Sequence, residues 1–117
     1  MNRPPDDSLI RGTVDALILK TLTWGPRHGY DIAAWVNETS KAALPIEDRA
    51  LYLALHRLEA RGLVESEWGL SANNRRAKYY QLTTAGRAHL KTETARLTRY
   101  VQALSTVLGA TAWSSAR

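Results

Sequence analysis

Cysteine is absent from this chain of 117 residues. That removes a disulfide framework, a thiol nucleophile and a thiolate metal site at once. Long hydrophobic runs are missing too. The longest spans only a few residues, so none can cross a bilayer. The opening Met1-Asn2-Arg3-Pro4-Pro5-Asp6-Asp7 holds no apolar stretch of the kind a secretory signal needs. These absences point to the cytoplasm, where the Asn37-Glu38-Thr39 sequon carries no meaning. Histidine is scarce, and His28, His56 and His89 stand far apart. No His/Glu cluster has ligand spacing, so neither a metal nor another cofactor is expected. A glycine-rich phosphate loop and a nucleophile matched to a base are both lacking, so we expect no enzyme. No internal repeat or low-complexity tract is visible.

What is present is positive charge. The net charge is +5 and the pI near 9.9, which favours an anionic partner, nucleic acid or an acidic membrane surface. Its distribution is uneven. Arg75, Arg76 and Lys78 fall within four positions, and Arg57 and Arg61 share one helical segment. With 44% hydrophobic and 23% charged residues, the length suits one domain with a modest core.

Along the chain, residues 1–8 read as a disordered tail with two prolines and no apolar anchor. Asp7 or Ser8 can cap a first helix, whose buried face is Ile10, Val14, Leu17, Ile18 and Leu22. Gly25-Pro26 ends it. A second helix starts near His28 or Gly29 and runs to about Ser40, with Tyr30, Ile32, Ala33 and Val36 inward. A third runs from about Ile46 to Arg61, its first turn suited by Pro45 and by the acidic Glu47-Asp48. Then the period becomes extended. Leu63 to Gly69 and Ala77 to Leu82 read as strands, joined by the turn-rich, basic segment from Leu70 to Arg76. After Thr83, a good cap, Leu90, Thr94, Leu97, Val101, Leu104 and Leu108 mark a heptad seam. Residues 109–117 read as a flexible tail.

The third helix carries most of the functional information. Leu51, Leu55 and Leu58 form one apolar stripe, and Gly62 stands where a helix end wants positive φ. Arg49, Tyr52, Leu53, His56 and Arg57 lie off the stripe. One face can dock while the other meets something outside. Helix, helix, helix, hairpin is the order of a winged helix-turn-helix, whose third helix enters the major groove while the wing touches backbone. The fold class is therefore mainly α with a small β-hairpin. We divide it into a DNA-binding domain over residues 9–82 and a C-terminal dimerisation helix over 83–108.

Three segments resemble the PadR family of bacterial transcriptional regulators, in its short form with one C-terminal helix. They are His28-Gly29-Tyr30-Asp31-Ile32 after Gly25-Pro26, then Leu51 to Glu59 with Gly62-Leu63, then Trp68-Gly69 followed by Asn73 to Thr83 and Gly86. Members of that family are winged-helix dimers that usually repress nearby genes, often until a small molecule relieves them. The resemblance implies double-stranded DNA and a second copy of the chain as partners. It implies reading of DNA by Tyr52 and its helical neighbours Arg49, Leu53, His56 and Arg57, and a wing formed by Asn74, Arg75, Arg76 and Lys78. His28 and Tyr30, at the start of the second helix, are counted with the DNA-facing set. Two positions depart from the family pattern. Arg49-Ala50 replace its small residues, and Leu53 replaces the proline of its Leu-Tyr-Pro. A guanidinium suits guanine and an apolar side chain suits a thymine methyl, so the operator cannot be borrowed from relatives.

Several residues carry two readings. Arg57 can pair with Glu59 or Glu65 instead of meeting DNA. The wing cations can be a solubilising loop. Leu90, Leu97, Val101, Leu104 and Leu108 can join two subunits, pack on the first helix, or do both. Trp24 and Trp35, on the first and second helices, and Tyr100 beside the seam can line a space for a small aromatic effector, or serve as core filler. Trp68 should pack under the wing. The rival to a DNA-reading regulator is a ligand- or protein-binding module on the same fold. A membrane-surface role is disfavoured, since the last helix alternates Lys91 and Arg96 with Glu93.

Overall fold

The computed structural model describes residues 7–113. The tail through residue 6, the chain end past 113 and the side chains of residues 7–10, with them the expected cap at Asp7 or Ser8 and the side chain of Ile10, lie outside the described residues. The elements are α1 (Asp7–Thr21), a 3₁₀ turn (Leu22–Trp24), β1 (Arg27–His28), α2 (Gly29–Thr39), α3 (Asp48–Ala60), β2 (Val64–Leu70), β3 (Arg76–Leu82) and α4 (Thr84–Leu108). Among the described residues, four helices accompany a small antiparallel sheet of order β1-β3-β2. In the hairpin Val64 lies opposite Leu82, Ser66 opposite Tyr80, Trp68 opposite Lys78 and Leu70 opposite Arg76.

The sheet has one strand more than the expected hairpin. Arg27 and His28 pair with Tyr80 and Tyr79. Two residues are too few to show a period, so this strand exists only through its partner. The first helix also ends earlier than expected. Thr21 Oγ1 donates to the Ile18 carbonyl at 2.7 Å, and the backbone tightens to the 3₁₀ turn that carries Trp24. Gly25, at φ 132°, then opens the chain into Pro26 and β1.

The core lies where α1, α2 and α3 meet the root of the hairpin. Ile18, Leu19, Leu22, Ile32, Leu51, Leu55, Leu58 and Val64 are fully buried, each contributing about 1.5–3 kcal/mol of burial. The stripe on α3 is therefore the inward face. On α1, Leu19 takes a core place that the pattern did not assign, while Leu17 is only half-buried. On α2, Tyr30 is 77% exposed rather than inward, and Gly29 is the buried neighbour.

Two capped joints hold the sheet to the helices. Leu63 N donates to the Leu58 carbonyl and Gly62 N to the Glu59 carbonyl, with Gly62 at φ 74°; this Schellman arrangement turns α3 straight into β2. At the other end Thr83 Oγ1 accepts from Gly86 N at 3.0 Å and donates to the Gly62 carbonyl at 2.7 Å. Gly86 is buried there, and a Cβ on it would run into the Leu63 carbonyl oxygen. Beyond this joint α4 lies along α1, where Gly12 leaves room for Glu93 and Arg96. No helix among the described residues is long and apolar enough to cross a membrane.

Candidate nucleic-acid interface

The side of α3 away from the core carries Arg49, Tyr52, Leu53 and His56, all exposed. The helix runs through Leu53 without a break. Arg57 does not join them. Its Nη2 donates to Asp15 Oδ1 at 2.7 Å, and the Asp15 side chain is only 8% exposed. The partner is thus a carboxylate on α1, not Glu59 or Glu65. Those two serve the sheet instead. Glu59 accepts from Ser66 Oγ at 2.7 Å, and Glu65 accepts from Gln81 Nε2 at 2.8 Å.

The start of α2 packs against α3. His28 caps α2 by accepting from Asp31 N at its Nδ1, and its Nε2 lies 3.4 Å from Asp31 Oδ2. Its ring meets Tyr79 edge-on at 5.3 Å. His28 is therefore occupied within the chain, whereas Tyr30 beside it points to solvent. Between them, Gly29 has no side chain because Tyr52 lies on it. A Cβ at Gly29 would stand 2.6 Å from the Tyr52 hydroxyl. The His-Gly-Tyr segment and the Tyr52 segment thus form one surface.

The wing tip is a tight turn. Ser71 N donates to the Arg75 carbonyl and Asn74 N to the Ser71 carbonyl, with Asn74 at φ 61°, a conformation asparagine tolerates. Arg75 and Arg76 project from it, exposed. Arg76 stacks its guanidinium over Trp68 at 4.7 Å from the ring centroid. Trp68 is 58% exposed, so it is not packed under the wing. Strand alternation puts it on the face of Val64 and Tyr80, two steps beyond Ser66 toward the tip. Lys78 is half-buried, 3.8 Å from Glu59 Oε1 and 5.9 Å from the Tyr80 ring centroid. Burial, then the negative charge of Glu59 and the nearby Tyr52, push the Tyr80 phenol above its ordinary value, so it stays neutral.

Between α3 and the wing runs an open cleft of about 850 Å³, bordered by Tyr30, Tyr52, Trp68, Arg75, Arg76 and Lys78. It unites residues from three separated segments on one side of the molecule. Cations at the rim with aromatic and hydroxyl groups between them suit a phosphate-lined partner.

Residues 18–92 match the sequence model of the Transcriptional regulator PadR-like family. The chain belongs to this PadR-like family. An uncharacterised protein of Lysinibacillus sphaericus is 30% identical over 82 residues, which cover 70% of this chain and 75% of that one. A transcriptional regulator from Clostridium thermocellum superposes with a TM-score of 0.75 at 27% identity, covering 88% of this chain and 97% of that one. A PadR family transcription regulator from Clostridium difficile gives a TM-score of 0.69 at 28% identity, over 83% and 98% of the two chains. One from Eggerthella lenta gives 0.71 at 30% identity, over 88% of each.

In this PadR-like chain the remaining candidates separate. Trp24 and Trp35 meet with ring centroids 5.6 Å apart, and Lys20 Nζ lies 5.0 Å from the Trp24 centroid. Tyr100 lies on α4, outside that pair. Trp24 and Trp35 are 59% and 38% exposed, which rules out core filler for the first and limits it for the second. The seam divides as well. Leu90 packs against the core and Leu97 is half-buried, but Val101, Leu104 and Leu108 are 57%, 43% and 80% exposed. Among the described residues, no group of three or more His, Asp or Glu could hold a metal ion. The site residues expected from the sequence do not include Asp15, Glu59 or Trp68, although Glu59 is named there as a partner for Arg57 and Trp68 as wing packing. For Trp68 the signal was there in its period-two spacing from Val64 and Ser66.

Proposed function

We propose that this PadR-family regulator is a homodimeric repressor, acting on DNA in the cytoplasm. It binds a palindromic operator and is released by a small aromatic effector. The observation that carries the reading is the shared surface of α3 and the wing. Arg49, Tyr52, Leu53 and His56 stand on the outer side of α3, and Arg75 and Arg76 stand across the cleft without an acidic partner among the described residues. Arg49 suits a bidentate contact to guanine and Leu53 an apolar contact to a thymine methyl. Tyr30, Asn74, Arg75 and Arg76 suit sugar and phosphate, which position the protein without reading sequence. His28, Arg57 and Lys78, each facing a carboxylate, hold this surface in shape.

Residues 9–82 would form the DNA-binding unit and 83–108 the dimerisation helix. Two copies joined through Val101, Leu104 and Leu108 present two reading helices to major-groove segments about 34 Å apart. An effector seated among Trp24, Trp35 and a partner's aromatic surface near Tyr100 would alter that spacing.

Selection of bound fragments from random duplex DNA tests the reading. The expected product is an inverted repeat with half-site centres about 10 base pairs apart. No enrichment over the input pool overturns it. On the selected operator, Arg75→Ala with Arg76→Ala makes the slope of log affinity against log salt shallower by about 3.6, as the dimer loses two phosphate contacts from each subunit and each removes about 0.9. An unchanged slope removes the wing from the contact surface.

A further inference from the structure

The cations around the cleft differ in what they touch. Arg75 and Arg76 join no ion pair among the described residues, whereas Lys78 lies 3.8 Å from Glu59. Glu59 stands near the end of α3. Its Oε2 accepts from Ser66 Oγ on β2 at 2.7 Å, while its Oε1 faces Lys78 Nζ on β3. One carboxylate on the reading helix thus holds both strands of the wing. Elsewhere the wing joins the body at its root, through buried Val64, Tyr80 and Leu82, through the pairing of β1 with Tyr79 and Tyr80, and through the His28 ring against Tyr79. Past that root, on the same sheet face, Trp68 and Leu70 are 58% and 63% exposed. From Lys78 to the tip only β2 and β3 pair, and a two-stranded ribbon held at one end has little rigidity of its own.

We propose that Glu59 is a positioning residue for operator binding. By holding Ser66 and Lys78 it sets the angle between wing and α3, so that groove contacts and backbone contacts fall in register on one duplex. This rests on the DNA-binding reading above. It also runs against simple electrostatics. A carboxylate near phosphate repels it, so its removal alone would tighten binding to every duplex and free Lys78 for another contact. Positioning gives the opposite sign for the operator, with binding to unrelated duplex unchanged or tighter.

The test uses the full chain carrying Glu59→Gln, with two readouts. The first is amide hydrogen exchange of the free protein. Exchange over residues 66–78 is expected to speed up about tenfold, while amides of Leu19, Leu55 and Leu58 keep their rates. The second is the ratio of affinities for the selected operator and a scrambled duplex of equal length at one salt concentration. It is expected to fall about tenfold, the scale of one hydrogen bond to a charged group. Ser66→Ala removes one hold and changes no charge, and is expected to lower the ratio by a smaller factor. Glu59→Lys combined with Lys78→Glu is expected to recover part of the ratio lost in Glu59→Lys alone. Unchanged exchange over the wing overturns the proposal with no DNA involved, and so does faster exchange with an unchanged ratio. A wild-type chain that selects no DNA overturns the DNA-binding reading, and the exchange result still decides whether Glu59 holds the wing.

Discussion

The two halves of α4 share one heptad spacing and have different surroundings. In the first half Gly86 is buried at the sheet joint, Leu90 packs against the core, and the Glu93 side chain is 16% exposed beside α1. In the second half residues 98–108 are all exposed, among them Tyr100, Val101, Leu104, Val107 and Leu108. The helix covers 25 residues, about 37 Å, and the body is long enough to cover only its start. A heptad seam therefore specifies a face and leaves its partner open. One chain satisfies the first half by itself. The apolar row on the second half is a surface that soluble monomers seldom leave open.

The first half breaks most severely at its seat. Gly86→Ala would place a Cβ against the Leu63 carbonyl oxygen. That oxygen cannot move aside, because it accepts from Thr83 N at 3.2 Å and belongs to the residue closing the turn after α3. The helix must lift instead. We expect a loss of about 3 kcal/mol, seen by calorimetry as a fall of roughly 10 °C in Tm. A fall below about 2 °C would mean that α4 is not seated through Gly86.

The second half should break association and leave the fold. Val101→Glu with Leu104→Glu puts charge on side chains already 57% and 43% exposed, so the single chain loses little. Light scattering at micromolar concentration is expected to give half the wild-type mass. The dependence of Tm on protein concentration should vanish. Operator affinity should fall about a hundredfold, as two linked half-site contacts become one. A variant that stays dimeric places the interface elsewhere.

The same contrast governs what the sequence could reveal. The α3 stripe, the Gly62 stop and the Thr83 cap were legible because each is encoded within a few residues, by period or by turn chemistry. Strand β1 was not, since two residues have no period. The helical pattern turns Tyr30 inward, but the buried position is Gly29, left bare for the ring of Tyr52, which is distant in sequence. The acceptor of Arg57 lies 42 residues away on α1, beyond any local pairing rule. Trp68 followed its strand alternation correctly; what the alternation cannot show is where the body stops. The site's elements were readable in order, and the partners that orient its charged groups came only with the packing.

The smallest expected effect concerns the ion pair that lies over Gly12. Arg96 donates through Nη2 to Glu93 Oε1 at 2.7 Å, with Nε at 3.2 Å from the same oxygen. This hydrogen bond, and then the charges of Arg96, His89 and Arg61, hold the Glu93 carboxyl below its usual range despite partial burial, which acts the other way. A carboxyl lowered on folding adds stability while ionised, and loses that contribution as pH falls through its folded value. Relative to Glu93→Gln, which does not titrate there, the wild type should be more stable by a constant margin above about pH 5. The margin should close below about pH 4, where both states protonate. Thermal melts of the two proteins across that range measure it. A margin that stays constant or widens in acid would show that Glu93 does not pin the first half of α4 through its charge. The exposed second half, with no ionised carboxylate at all, should show no counterpart.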